Sequence, residues 1–293
     1  MDMAEITLLD GGMGQELVHR AGDNPTPLWS TQVMLDNPGM VGQVHADFTA
    51  AGASLATTNT YAIHRDRLEG TGLEGRFEEF YGMALAEVAG KAGIIAGAIG
   101  PLGASYRADV LPPHAEAVAK LREVGELLAP QVDVLICETV VSIAQTQALM
   151  EALAGIGKPV WMAFSVSDRD GTVLRSGETL ADAVVVLKGV DAVLANCSAP
   201  EVIPAALDVI ATSGLPYGAY PNGFEKITDD FLKDGPTVDS LQMRRDFTPE
   251  LFAEHAMTWA DHGATIIGGC CEVSPTHIAE IANRLRAAGH TIV

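Results

Sequence analysis

Cysteine is scarce in this chain, with four residues among 293, and two of the four are neighbours at positions 270 and 271. So few thiols, so unevenly spaced, do not make the disulfide framework of a secreted protein, and a reducing, cytoplasmic setting is expected. Basic side chains are also few: 18 Lys and Arg stand against 38 Asp and Glu, a formal charge of −20. An acidic surface repels phosphate backbones and anionic bilayers, which argues against nucleic acid and membranes as partners. It suits a cationic small molecule, although plain solvation accounts for most of it. No apolar run approaches the roughly 20 residues that a bilayer span needs. The start, Met1-Asp-Met-Ala-Glu5, lacks the basic and apolar regions of a signal peptide. No Gly-x-Gly-x-x-Gly follows the first apolar run, which counts against a dinucleotide fold. His-Glu-x-x-His is missing too, so His64, His262 and His277 are read as surface or capping residues.

What is present is a regular alternation. Apolar runs end at Leu9, Thr58, Ile99, Cys137, Ser165, Cys197, Tyr220 and Cys270, and their β-branched, glycine-bounded character reads as eight buried strands. Between them lie stretches with apolar residues at three- and four-residue spacing: 40–48, 77–92, 116–128, 143–153, 180–187, 202–210 and 251–259. Ser274-Pro275 supplies an N-cap and a first-turn proline for a last helix through Ile278, Ile281 and Leu285. Eight strand–helix units predict an α/β fold, a (β/α)8 TIM barrel forming a single domain over 1–293, for which the length is suitable. An open doubly wound sheet is the alternative. The irregular stretch from Asn222 to Thr248 reads as a long loop after the seventh strand.

The chemistry gathers at the strand ends. Asp10, Tyr61, Glu138, Cys197, Asn222, Cys270 and Cys271 all fall at or just after the C-terminal ends of predicted strands, the face on which barrels build active sites. Three thiols from two strand ends can hold one zinc ion at roughly 2.3 Å per sulfur and leave a fourth position open. The competing readings of Cys270-Cys271 are small core residues or a vicinal disulfide in a non-catalytic redox sensor. Cys137 is read as packing, because strand alternation points it away from Glu138.

Gly268-Gly-Cys-Cys271, Asn196-Cys197, Asp10-Gly-Gly12, Pro27-Leu-Trp-Ser30, Thr58-Asn-Thr-Tyr61, Glu138-Thr139 and Tyr220-Pro-Asn222 together resemble the homocysteine S-methyltransferase family. The resemblance covers nearly the whole chain and implies a zinc-containing barrel, with Cys197, Cys270 and Cys271 as metal ligands, that methylates homocysteine to methionine. It further implies that Glu138 and the backbone around Asp10-Gly11 hold the amino group of homocysteine, that Tyr61 sits near the metal, and that Trp29 lines the methyl-donor pocket. Asn196 and Asn222 are candidates for polar positioning. Each has a plainer alternative: an internal salt bridge for Glu138, a turn for Asp10, a core tyrosine for Tyr61 and a loop anchor for Trp29. One barrel leaves no room for the folate and cobalamin domains of some relatives, and no Asp-x-His-x-x-Gly signature is present. The donor is therefore expected to be a small onium compound, S-methylmethionine or S-adenosylmethionine ahead of betaine. Tyr220-Pro-Asn-Gly-Phe-Glu225 and Ala195 depart from the family pattern beside the substrate region.

Overall fold

Each of the eight apolar runs carries a strand of one parallel sheet in the structure, a computed structural model that describes residues 3–228, 231–233 and 241–293. These are β1 (Glu5–Leu8), β2 (Leu55–Thr57), β3 (Ile94–Ile99), β4 (Val134–Val140) and β5 (Val160–Phe164). A short antiparallel hairpin follows, β6 (Val166–Ser167) and β7 (Asp170–Leu174), then β8 (Ala192–Asn196), β9 (Tyr217–Tyr220), β10 (Ile266–Ile267) and a C-terminal β11 (Thr291–Ile292). The sheet runs β11-β1-β10-β9-β8-β5-β4-β3-β2. Residues facing inward from all eight barrel strands, among them Leu9, Ala98, Ile136, Ala163, Leu194 and Tyr220, form one buried cluster. A second cluster, holding Cys137, Met162, Phe164 and Trp259, lies between the strands and the helices. The strands are apolar on both faces because both are covered.

The seam where the curled sheet meets itself is closed on one edge of β1 by two partners. Near its start, the Ala4 and Ile6 carbonyls accept from Thr291 N and Val293 N of β11, both at 3.0 Å. Further on, the Leu8 carbonyl accepts from Ser54 N at 2.8 Å, and the Ser54 hydroxyl accepts from Leu8 N at 3.0 Å. Beyond that, the Asp10 carboxylate accepts from Thr57 N at 2.7 Å and Thr57 Oγ1 at 2.5 Å. Asp10 is thus more than a turn residue, since it ties β1 to β2.

The predicted helices are present with shifted ends, as Met40–Ala51, Phe77–Val88, His114–Leu128, Ile143–Leu153, Leu180–Val185, Ile203–Ile210, Pro249–Asp261 and Pro275–Ala287. Ser274 precedes the last one, and its backbone N–H donates to Nδ1 of His277 at 3.2 Å, so His277 caps, although from a buried position. His262 ends the helix Pro249–Asp261 and is partly exposed. His64 departs from the surface reading: it precedes the short helix Arg65–Leu68 but is 1 % exposed. Helices Met13–Arg20 and Ser30–Asp36 were not predicted. Of the loop expected over 222–248, positions 229–230 and 234–240 lie outside the described residues. No helix among the described residues is long and apolar enough to cross a membrane.

Candidate metal and substrate site

A cavity of about 300 Å³ opens at the C-terminal ends of the barrel strands. Backbone strain gathers around it. Six non-glycine residues have left-handed φ among those described, and five of them, Trp29, Tyr106, Thr139, Cys197 and Glu272, border the cavity or its cysteine turn. Such conformations cost on the order of 1–3 kcal/mol each and persist where surrounding contacts impose them.

Cys197 follows β8 directly with φ 47°. Its carbonyl accepts from Ser165 Oγ at 3.0 Å and from Arg175 Nη2 at 3.1 Å. Arg175 also donates to Ser165 Oγ at 2.7 Å and to Asp168 at 2.8 Å, so the β6–β7 hairpin braces the strained residue. Cys270 and Cys271 are held by backbone: Cys270 N donates to Pro221 O and Gly223 N to Cys271 O, both at 2.9 Å. Close approach requires glycine both in this turn and in the segment after β1 that packs against it. A Cβ on Gly269 would lie 2.2 Å from Val273 Cγ1, and one on Gly12 would lie 2.6 Å from Cys270 O. A hydrogen-bonded chain then ties the turn to the cavity wall. Glu272 accepts from Gln15 Nε2 at 2.6 Å, Gln15 Oε1 accepts from Trp29 Nε1 at 3.0 Å, and His19 Nε2 meets Glu272 at 3.1 Å. That contact with Glu272 is the main reason the His19 imidazole is raised to about 9, against the opposing effect of its partial burial.

The three sulfurs of Cys197, Cys270 and Cys271 lie within 4.8 Å of one another. Tetrahedral zinc with sulfur ligands at about 2.3 Å sets the sulfurs near ~3.8 Å apart, and Cys270 and Cys271 stand at 3.9 Å. Cys197 and Cys270 are paired as a disulfide and Cys271 is free, so the donor set fits a thiophilic metal once the pair is reduced. Cys137 is fully buried in the outer cluster, where it packs as expected.

Two carboxylates, Asp10 and Glu138, share the cavity wall with no basic partner among the described residues. Burial lifts Asp10 to about 7 despite the two bonds from Thr57. Glu138 rises to about 8, first through burial, with the Asp10 charge adding to the effect. The Tyr220 hydroxyl beside Glu138 lowers it part of the way without completing a well-aligned hydrogen bond. Glu138 is enclosed by protein on most sides, yet keeps some surface open to the cavity it lines. A carboxyl buried in this way holds its proton until a cation joins it, so the pair is suited to receive one.

Trp29 and Tyr61 stand edge to face with ring centroids 6.0 Å apart. The Tyr61 and Ser105 hydroxyls are hydrogen-bonded at 2.7 Å, and burial pushes the Tyr61 phenol up to about 12. Asn196 lines the cavity but its amide is engaged: Oδ1 accepts from Thr139 N at 3.0 Å, which fixes the left-handed residue after Glu138. Gly11 lines the cavity, whereas Asn222 is not among its lining residues. Asn222 lies behind the wall, its N–H donating to Ser198 O at 3.1 Å and its Oδ1 accepting from Phe224 N at 3.3 Å. Sequence reasoning missed Arg67, Ser105, Tyr106 and Phe231 in the wall, and the bracing Arg175. All come from connections whose sequence has no periodicity, and no local signal marks them.

A family profile described as homocysteine S-methyltransferase matches residues 7–285. The homocysteine S-methyltransferase of Escherichia coli K12 is 31% identical over 97% of this chain and 96% of its own length. Among solved structures, the homocysteine methyltransferase MmuM from Escherichia coli in its metallated form is similar with TM-score 0.80 and 28% identity over 96% of each chain. Its oxidised form gives TM-score 0.80 and 29% identity over 95% of this chain and 96% of that one.

Proposed function

This chain belongs to the homocysteine S-methyltransferase family and is a methyltransferase, and from that premise we propose that it moves a methyl group from a small onium donor to homocysteine sulfur at a zinc site made by Cys197, Cys270 and Cys271. The single observation that carries this reading is the convergence of three sulfurs within 4.8 Å on a cavity whose wall also holds two carboxylates lacking a cation. When bound, zinc supplies positive charge that keeps an incoming thiol in its nucleophilic thiolate form at neutral pH, where a free thiol with pKa near ~8.5 is only a few per cent ionised.

The protein's own side chains then have distinct tasks. Arg175 and Ser165 hold the Cys197 carbonyl and so fix the direction of its sulfur. Glu138, with Asp10 behind it, takes the ammonium of homocysteine, and the charge of that ammonium restores the carboxylate that burial disfavours. Trp29, Tyr61 and Tyr106 line the rest of the wall with aromatic rings, which attract an onium through their quadrupoles. As the sulfur forms its new bond to the methyl carbon, the donor's bond to that carbon breaks and the donor departs as a neutral sulfide or amine. S-methylmethionine and S-adenosylmethionine are the favoured donors, with betaine as the alternative.

The test is to measure zinc per reduced chain and then methionine formation from homocysteine with each donor. Cys270→Ala or Cys271→Ala should lose metal and activity together, while Cys137→Ala keeps both. Full zinc content and rate in Cys270→Ala would defeat the assignment, and reversible thiol loss with no turnover on any donor would replace it with the redox-sensing alternative.

A further inference from the structure

The cavity wall is acidic, and among the described residues it includes one basic side chain, Arg67. Arg67 belongs to the short helix Arg65–Leu68, after β2 and Tyr61. Its guanidinium carbon lies 5.8 Å from the Tyr61 ring centroid, so Trp29, Tyr61 and Arg67 follow one another along the wall. A guanidinium has five N–H donors, and little of that capacity is used here. Nη2 reaches the Pro101 carbonyl at 3.4 Å, and Nε is buried with no hydrogen-bond partner. The neighbouring Arg65 is the contrast, bound to both oxygens of Glu123 at 2.8 and 2.6 Å. Asp66 is turned away from the Arg67 guanidinium and forms no salt bridge with it; its two carboxylate oxygens accept from the backbone N–H groups of Arg67 and Gly103.

A half-buried cation with open donors, its Nε sealed from solvent, calls for an anionic group on a ligand in a substrate cavity. We propose that Arg67 binds the carboxylate of the methyl donor, so that the donor is a zwitterion whose onium rests among the aromatic rings and whose carboxylate rests on Arg67. This inference builds on the methyltransferase reading and narrows it. The ammonium of homocysteine has its attachment at Glu138 and Asp10, whereas Arg67 continues the line of aromatic rings, Trp29 and then Tyr61, that takes the donor's cation, and so stands at the donor's anionic end. Oniums without a carboxylate are then poor donors, however well they fill the aromatic part of the wall.

The experiment uses zinc-loaded, reduced, full-length protein and two donor pairs: S-methylmethionine with its methyl ester, and betaine with choline. Calorimetric affinities are measured beside initial rates. For whichever pair is used, the carboxylated member should bind and react about 10- to 100-fold better in the wild type. Arg67→Met should erase that preference by raising the donor KM, leaving zinc content and the homocysteine KM unchanged, and Arg67→Lys should restore part of it. Equal use of charged and neutral donors by the wild type, or a homocysteine KM that rises in place of the donor KM in Arg67→Met, overturns the role of Arg67 while leaving methyl transfer intact. Absence of methionine with every donor, together with absence of donor binding, removes both readings.

Discussion

Replacing Glu138 with Gln should stabilise the metal-free protein at neutral pH while weakening its hold on homocysteine. Burial raises the Glu138 carboxyl from the usual 4.5 to about 8. A carboxyl raised in the folded state favours folding fully below pH 4.5 and progressively less as pH climbs to 8, because the unfolded chain gives up the proton first. At 1.36 kcal/mol per pH unit, the whole shift corresponds to about 5 kcal/mol above pH 8 and about 3 kcal/mol at pH 7. Glu138 lines a cavity that admits water, so about 2 kcal/mol at pH 7 is the better expectation. Urea unfolding of the reduced, chelator-treated protein at pH 5, 7 and 8.5 measures it. Wild type should lose stability relative to Glu138→Gln across that range, and homocysteine should recover more stability for the wild type than for the variant. Parallel pH curves for the two proteins would refute the reasoning, since the strained carboxylate would then lie elsewhere.

Other perturbations separate the remaining parts of the site. Arg175→Ala removes donors from Cys197 O and Ser165 Oγ, and zinc affinity by chelator competition should fall about 10-fold, in the range for groups supporting a ligand; unchanged affinity would contradict the brace. A Cβ on Gly14 would lie 2.3 Å from the Trp29 indole, so Gly14→Ala should raise the donor KM several-fold with metal content intact. His45 is fully buried with both ring nitrogens lacking partners, and burial, helped by Lys91, lowers it to about 3. Stability should therefore fall as pH drops below 6.5, by about 2 kcal/mol at pH 5. His45→Leu should flatten that slope but not abolish it, because His64, lowered to about 4 mainly by burial, acts in the same direction.

The barrel was legible because each strand is a short apolar run that stops at a polar residue or at glycine, and burial on both faces leaves few other readings. The cysteine cluster was legible for the same reason: strand ends converge, so Cys197 and Cys270 meet although 73 residues separate them. Helices Met13–Arg20 and Ser30–Asp36 escaped because glycines and polar residues break their apolar spacing, and tertiary contacts such as Trp29 over Gly14 hold them. Asn222 was expected at the substrate because it follows a strand end, yet position along a strand does not fix direction, and its amide turns into the loop behind the wall. The burial of His64 and the placement of Arg67 depend on how the connection after β2 folds back, which no period in the sequence encodes.

The seam has a consequence for the order in which the molecule assembles. Ala4 and His290 are hydrogen-bonded although 286 residues apart in sequence, and bringing such distant positions together carries one of the larger entropic costs of loop closure in the chain. A circular permutant with the ends at Met1 and Val293 joined by a short linker and new ends opened at the exposed Gly155 turn would turn that remote encounter into a hairpin-scale one. Its refolding should then be faster than that of the parent, with the cysteine cluster unaltered.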